Sequence, residues 1–166
     1  MDSYPFELDD VNFSGADEYL LKTFVYHFDS VKSHHHYVVH IENYVQHLYC
    51  VKFYDESTDI STGKFDKLSS TFEARKILRT ITNICLDMLK GDSDASFFFV
   101  GSTDRKDVAG KTSRRFRVYQ TYVRNMGYDE MFFKSFLDNY SSIVLVNLKA
   151  VSDIDAYLKS IREFIV

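Results

Sequence analysis

The feature that most constrains this chain is a change of hydrophobic period partway along it. From Tyr37 to Tyr44, Tyr37, Val39 and Ile41 alternate with Val38, His40 and Glu42. From His47 to Tyr54, Tyr49, Val51 and Phe53 alternate with Leu48, Cys50, Lys52 and Tyr54. A period of two over Val, Tyr and Phe is the pattern of half-buried antiparallel strands, and the β-branched and aromatic run Thr23 to Phe28 belongs with them. Beyond Ser70 the spacing becomes three and four, through Phe72, Ala74, Leu78, Ile81, Cys85, Met88 and Leu89. That is one face of a helix. Strands first, then helices mixed with strands, predict an α+β fold: a largely antiparallel sheet with helices packed on one face.

The remaining segments fit that frame. Asp55 to Gly63 is a polar turn cluster, and Lys64 to Leu68 reads as a short returning strand. Ser70-Thr-Phe-Glu73 is a capping-box pattern opening the first helix, and Gly91 sits where a left-handed C-terminal cap is expected. Ala95 to Val100 is a continuous apolar run, the signature of a central strand buried on both faces. A loop from Ser102 to Lys111 leads to a second helix from about Ser113 to Met126, with Phe116, Tyr119, Val123 and Met126 as its stripe and Gly127 at its end. Met131 to Leu137 fits helix or strand equally. Ser142 to Leu148 reads as a strand, and Ser152-Asp-Ile-Asp155 opens a final helix with Ile154, Leu158, Ile161 and Ile165 inward. No repeat or linker interrupts the 166 residues, so residues 1–166 read as a single α+β domain.

Composition excludes several classes. One proline, six glycines and 45% hydrophobic residues do not make a collagen-like, low-complexity or disordered chain. Two cysteines are too few for a disulfide framework or a four-cysteine zinc site, so a reducing cytoplasm is expected. The acidic N-terminus lacks the basic-then-apolar run of a signal peptide, and no stretch approaches eighteen uncharged apolar residues. The expectation is a cytoplasmic protein with no membrane partner.

Charge is distributed unevenly. Gly101 to Met126 holds Arg105, Lys106, Lys111, Arg114, Arg115, Arg117 and Arg124 against Asp104 and Asp107, a local charge of +5. The chain as a whole carries −4, so the other residues carry −9. The island straddles a predicted helix start, where unpaired amides and the macrodipole favour anions. Arg114 and Arg115 in a first turn oppose the dipole, and broken local rules concentrate at functional sites. Guanidinium forks match phosphate and carboxylate geometry. The candidate anion-binding residues are Ser102, Thr103, Lys111, Ser113, Arg114, Arg115, Arg117 and Tyr119. The same arginines also fit a solvated face paired with the chain's own acids.

Other chemistry is poorly represented. His34, His35 and His36, with His40 and His47 beyond, lack a familiar ligand interval. On a strand, His36 and His40 stand roughly 13 Å apart, so polar loop histidines are the expected reading. The chain has no Gly-x-Ser-x-Gly elbow, phosphate-binding Gly-Lys loop or dinucleotide glycine motif. Cys50 and Cys85 fall on apolar stripes, where thiols are inert. No catalytic residue, metal or cofactor is expected.

Two resemblances follow. The run Leu48-Tyr-Cys-Val-Lys-Phe-Tyr-Asp, Thr62-Gly63, the capped helix with Ala74, Leu78 and Thr80, the segment Asp94 to Thr103, and Arg115, Phe116, Arg117 and Tyr119 resemble a family of small uncharacterised bacterial proteins. That likeness covers roughly residues 46 to 148 and implies no activity. Ser113, Tyr119 and Gly127-Tyr128 are similar to the acyl-CoA-dependent N-acetyltransferases, which implies an acyl-CoA cofactor, with Tyr119 where that family's acid sits. Leu68 to Arg75, in the place of that family's glycine-rich pyrophosphate loop, contains no glycine.

The reading the residues favour is a non-catalytic binding module. Its basic segment would hold an anionic partner: nucleic acid, a nucleotide or an acidic protein face. The alternatives are an acetyltransferase-like enzyme with a degenerate cofactor loop, and a protein–protein module or homodimer.

Overall fold

A computed structural model describes residues 3–13, 18–30, 35–56, 71–100, 114–137 and 142–165. Its elements run β1 (Phe6–Phe13), β2 (Leu20–Ser30), β3 (His35–Tyr44), β4 (Leu48–Asp55), α1 (Thr71–Gly91), β5 (Ser96–Val100), α2 (Arg114–Asn125), β6 (Phe132–Leu137), β7 (Ser142–Asn147) and α3 (Ile154–Ile165). Among the described residues, the seven strands form one sheet in the order β1-β2-β3-β4-β5-β7-β6. Every pairing is antiparallel except β4 with β5, which run parallel with α1 as their crossover. The architecture is the expected α+β one.

The alternation in β3 and β4 sorts side chains as the period requires. Tyr37, Val39, Ile41, Tyr49, Val51 and Phe53 enter one apolar cluster, together with the inward faces of α1 and α2. Leu48, Cys50, Phe98, Val144 and Val146 point the other way and form a second cluster closed by Ile161, with Ile154, Tyr157 and Leu158 of α3 packed against it. So α1 and α2 share one face of the sheet, while α3 lies on the opposite face, where a sheet with all its helices on one face would have none. The reason is in the strands themselves. β7 is buried along its whole length and β5 over Ser96 to Phe98, and strands buried on both faces need cover on both.

The ends of the elements carry further differences. Gly91 remains within α1 and does not take a left-handed φ; the Asp92 amide closes the helix on the Met88 carbonyl at 3.0 Å. Gly127, by contrast, has φ +87° and ends the α2 segment as expected. α3 is capped by Asp153, whose carboxylate accepts from the Ala156 amide at 3.1 Å. Ser70 lies outside the described residues; Glu73, its expected capping partner, is buried and accepts hydrogen bonds from Ser30 at 2.6 Å and Tyr4 at 3.2 Å. The expected strand Lys64 to Leu68 also lies outside the described residues. Met131 to Leu137 resolves as strand β6. β1 is an edge strand that alternation does not announce, with Glu7, Asp9 and Asp10 exposed along it. Charge on an edge discourages pairing with another chain.

Candidate functional site

The link from Gly91 to Ser96 is short, so it sets the C-terminal end of α1 beside the amino end of β5. The N-terminal turns of α1 therefore lie toward the carboxyl ends of the parallel β4–β5 pair. The turn from Asn125 to Phe132 does the same for α2, because β6 runs in the same direction as β5. The two helices pack side by side on the sheet, and the seam between them holds the candidate site.

A groove of about 640 Å³ opens along this seam. Ala74, Arg75, Leu78 and Arg79 line it from α1, and Arg117, Val118, Thr121, Tyr122, Asn125 and Met126 line it from α2 and its end. Arg75 and Arg79 are one helical turn apart, so their guanidinium groups leave α1 on the same side. No carboxylate is among these lining residues. Among the described residues, no acid forms an ion pair with Arg75 or Arg79. Thr121 and Asn125 are exposed on the rim and make local hydrogen bonds to the carbonyls of Arg117 and Thr121.

Beneath the groove lies a second, smaller and more enclosed space of about 40 Å³, between the helices and β5, β6 and β7. Its walls are apolar or aromatic apart from Thr82. Leu78, Tyr122 and Met126 line both spaces and separate them. The Thr82 hydroxyl donates to the Leu78 carbonyl at 2.8 Å and lies 3.0 Å from the Tyr122 hydroxyl, so the one polar wall of the cavity is satisfied.

The sequence-derived candidates divide among three fates. Ser102, Thr103, Lys111 and Ser113 lie outside the described residues, as do Arg105 and Lys106. Arg114 and Arg115 begin α2, whose first turn contains no acid, and Arg117 is exposed and lines the groove. Tyr119 points the other way: it is buried in the core with its ring 5.9 Å from that of Phe53, and it reaches the inner cavity rather than the groove. Arg75 and Arg79 were not singled out by the charge island because they belong to α1. The signal available was their spacing of four on the outward side of a helix.

Four of the described histidines, His27, His35, His36 and His47, are strand and turn residues paired with carboxylates. The His40 ring instead lies against Tyr54, and His34 lies outside the described residues. His35, His36 and His40 lie on β3 itself, where a loop reading would put them outside the sheet. His35 Nδ1 lies 2.7 Å from Asp55, His36 Nδ1 2.5 Å from Asp29, and His27 Nδ1 2.5 Å from Asp9. His47 is in the β3–β4 turn, with φ 55°, and its Nδ1 is 2.8 Å from Asp92. Among the described residues, His47, Asp92 and Asp94 are the ones able to bring three metal-ligating atoms within 4.8 Å of one another. Asp92 is already engaged there, accepting from Tyr49 at 2.8 Å as well as facing His47. Burial works to raise the Asp92 carboxyl, but the contacts from His47, Tyr49 and the Asp94 amide outweigh it and hold it below its ordinary range. This is a self-satisfied network at the end of the sheet remote from the arginine groove.

Cys50 and Cys85 are both buried, and burial pushes the Cys50 thiol up to about 12 and the Cys85 thiol further. Neither has thiolate character for nucleophilic chemistry. Among the described residues, no helix is long and apolar enough to cross a membrane. Comparison with protein-family models, with curated proteins and with solved structures finds no match to this chain.

Proposed function

We propose that this chain is a non-catalytic binding module that holds an anionic ligand in the groove between α1 and α2, with Arg75, Arg79 and Arg117 as the anion's partners. The observation that carries the reading is that three arginines from two helices line one groove, with no carboxylate in its described lining. A volume of about 640 Å³ is that of a small-molecule site, which favours a nucleotide-sized anion over a polymer or a protein face. Arg114 and Arg115 at the start of α2 add positive charge beside the helix N-terminus, which itself favours anions.

Calorimetric titration with inorganic pyrophosphate tests the proposal. Saturable binding that weakens as salt is raised is the expected result, since exposed charges are screened. The double variant Arg79→Ala, Arg117→Ala should lose tenfold or more in affinity while remaining folded, as read by an unchanged circular-dichroism spectrum. Arg114→Ala with Arg115→Ala should weaken binding less. Unchanged affinity in the first double variant would remove the groove as the site.

A second reading is an acyl-CoA-dependent N-acetyltransferase-like enzyme. It is supported by the parallel β4–β5 pair, because α1 and α2 both begin toward its carboxyl ends, where open sheets with helical crossovers hold phosphate-bearing ligands. Acetyl-CoA in the same titration separates the readings. Tight binding with slow loss of the acetyl group to an added amine favours the enzyme, and binding with no turnover favours the module.

A further inference from the structure

We infer that the ligand of the α1–α2 groove is an organic anion with an apolar body: a phosphate or carboxylate head held by the arginines, with a hydrocarbon or aromatic portion lying on Leu78, Tyr122 and Met126. The inference rests on the proposal that the groove holds an anion, and it specifies what the anion carries.

Three observations support it. First, the groove is amphipathic in cross-section. Arg75, Arg79, Arg117, Thr121 and Asn125 supply polar groups, while Ala74, Leu78, Val118, Tyr122 and Met126 supply apolar surface of similar extent. A site for a bare inorganic anion gains nothing from such a floor, whereas an apolar body removes that surface from water.

Second, the floor has empty space behind it. The inner space of about 40 Å³ is walled almost wholly by apolar and aromatic side chains, which hold water poorly. Its lining lacks the dispersion contacts that a packed core provides, and hydrocarbon entering it would restore them.

Third, the partition between groove and cavity is made of adaptable parts. Met126 lies just past the end of α2, before Gly127 at φ +87°, and methionine is the most pliable of the apolar side chains. Tyr122 is only partly buried and is held by its hydroxyl pairing with Thr82. Rotation of either side chain would join the two spaces without moving a strand.

The test is a calorimetric series on the full chain: inorganic phosphate, then ethyl, butyl, hexyl and octyl phosphate as free monomers, with octanol as the uncharged control. The expected result is a gain of about two- to fourfold in affinity per added methylene until the floor is covered. Arg79→Ala with Arg117→Ala should weaken every phosphate in the series. Met126→Gln, similar in size but polar, should reduce the gain per methylene.

The outcomes separate the two claims. If inorganic phosphate binds through the arginines but affinity is flat along the series, the anion site stands and the apolar body is overturned. If no phosphate binds, both fail. If octanol binds as well as octyl phosphate, the arginine head site is overturned as a partner of the apolar floor. Binding to phosphatidate vesicles without binding to soluble alkyl phosphates would also overturn the inference, since it would place the anion on a membrane surface rather than in the groove.

Discussion

The hydroxyls of Thr82 and Tyr122 lie 3.0 Å apart and tie α1 to α2 at the boundary between the open groove and the inner cavity. Thr82 has a second partner in the Leu78 carbonyl, so removing the tyrosine hydroxyl strands no buried group on α1. Tyr122→Phe should therefore cost about 1 kcal/mol, the net worth of an ordinary hydrogen bond, and leave the ring in place. Urea denaturation would read this as a lower midpoint with an unchanged slope. A loss of ~3 kcal/mol or more would mean that the hydroxyl does something beyond joining the helices.

That contact also marks what a one-dimensional reading reaches. β3 and β4 are legible because their side chains alternate, and the clusters they enter follow that alternation; β2 is legible from its β-branched and aromatic run. α1 and α2 are legible from their stripes at spacings of three and four. β1 is not, because an edge strand has little to bury, and Glu7, Asp9 and Asp10 mask its period. β6 is ambiguous because Phe132 to Leu137 is short and only its first residue is fully buried. The side of the sheet taken by α3 depends on which strands need double cover, and that is a property of strand order. The groove has the same character. Arg117 is visible in the charge island, but Arg75 and Arg79 join it only because α1 and α2 are neighbours. Tyr119, close to Arg117 in sequence, goes to the core because it continues the stripe from Phe116 to Val123.

Asp92 supplies a pH dependence. Its carboxyl is held low by donors that outweigh its burial, so its contribution to stability is present above the ordinary carboxylate range and is lost as pH falls through the lowered folded-state value. Asp92→Asn should remove that dependence. The parent should lose stability faster than the variant as pH drops below about 4, the usual range of a free aspartate. Tyr49→Phe removes one of the donors and should cost ~1 kcal/mol at neutral pH, with a smaller difference in acid. Thermal melts between neutral and acid pH would check both. Parallel curves for Asp92→Asn and the parent would contradict the assignment.

The two thiols should be silent in the native protein. Cys50 and Cys85 are buried in separate clusters on opposite faces of the sheet, and burial raises both thiols far above neutral pH. A colourimetric thiol reagent should find essentially no reactive cysteine in buffer and two per chain in guanidinium. Rapid reaction of one thiol in buffer would show that its cluster opens readily. Cys85 is the informative one, since it also lines the inner cavity.

The two glycines at helix ends should respond to alanine with opposite signs. Apart from its own chain neighbours and, at Gly91, the helix backbone, neither has an atom within 4 Å of where a Cβ would stand, so space is not the issue at either position. Gly127 has φ +87°, which an L side chain rarely adopts, so Gly127→Ala should destabilise by about 1 kcal/mol. Gly91 keeps a helical backbone at the last residue of α1. There alanine restricts the unfolded chain and suits the folded one, so Gly91→Ala should stabilise by about 0.5 kcal/mol. Chemical denaturation of the two single variants beside the parent measures both effects. Destabilisation by Gly91→Ala as large as that by Gly127→Ala would mean that α1 ends in a left-handed cap at Gly91.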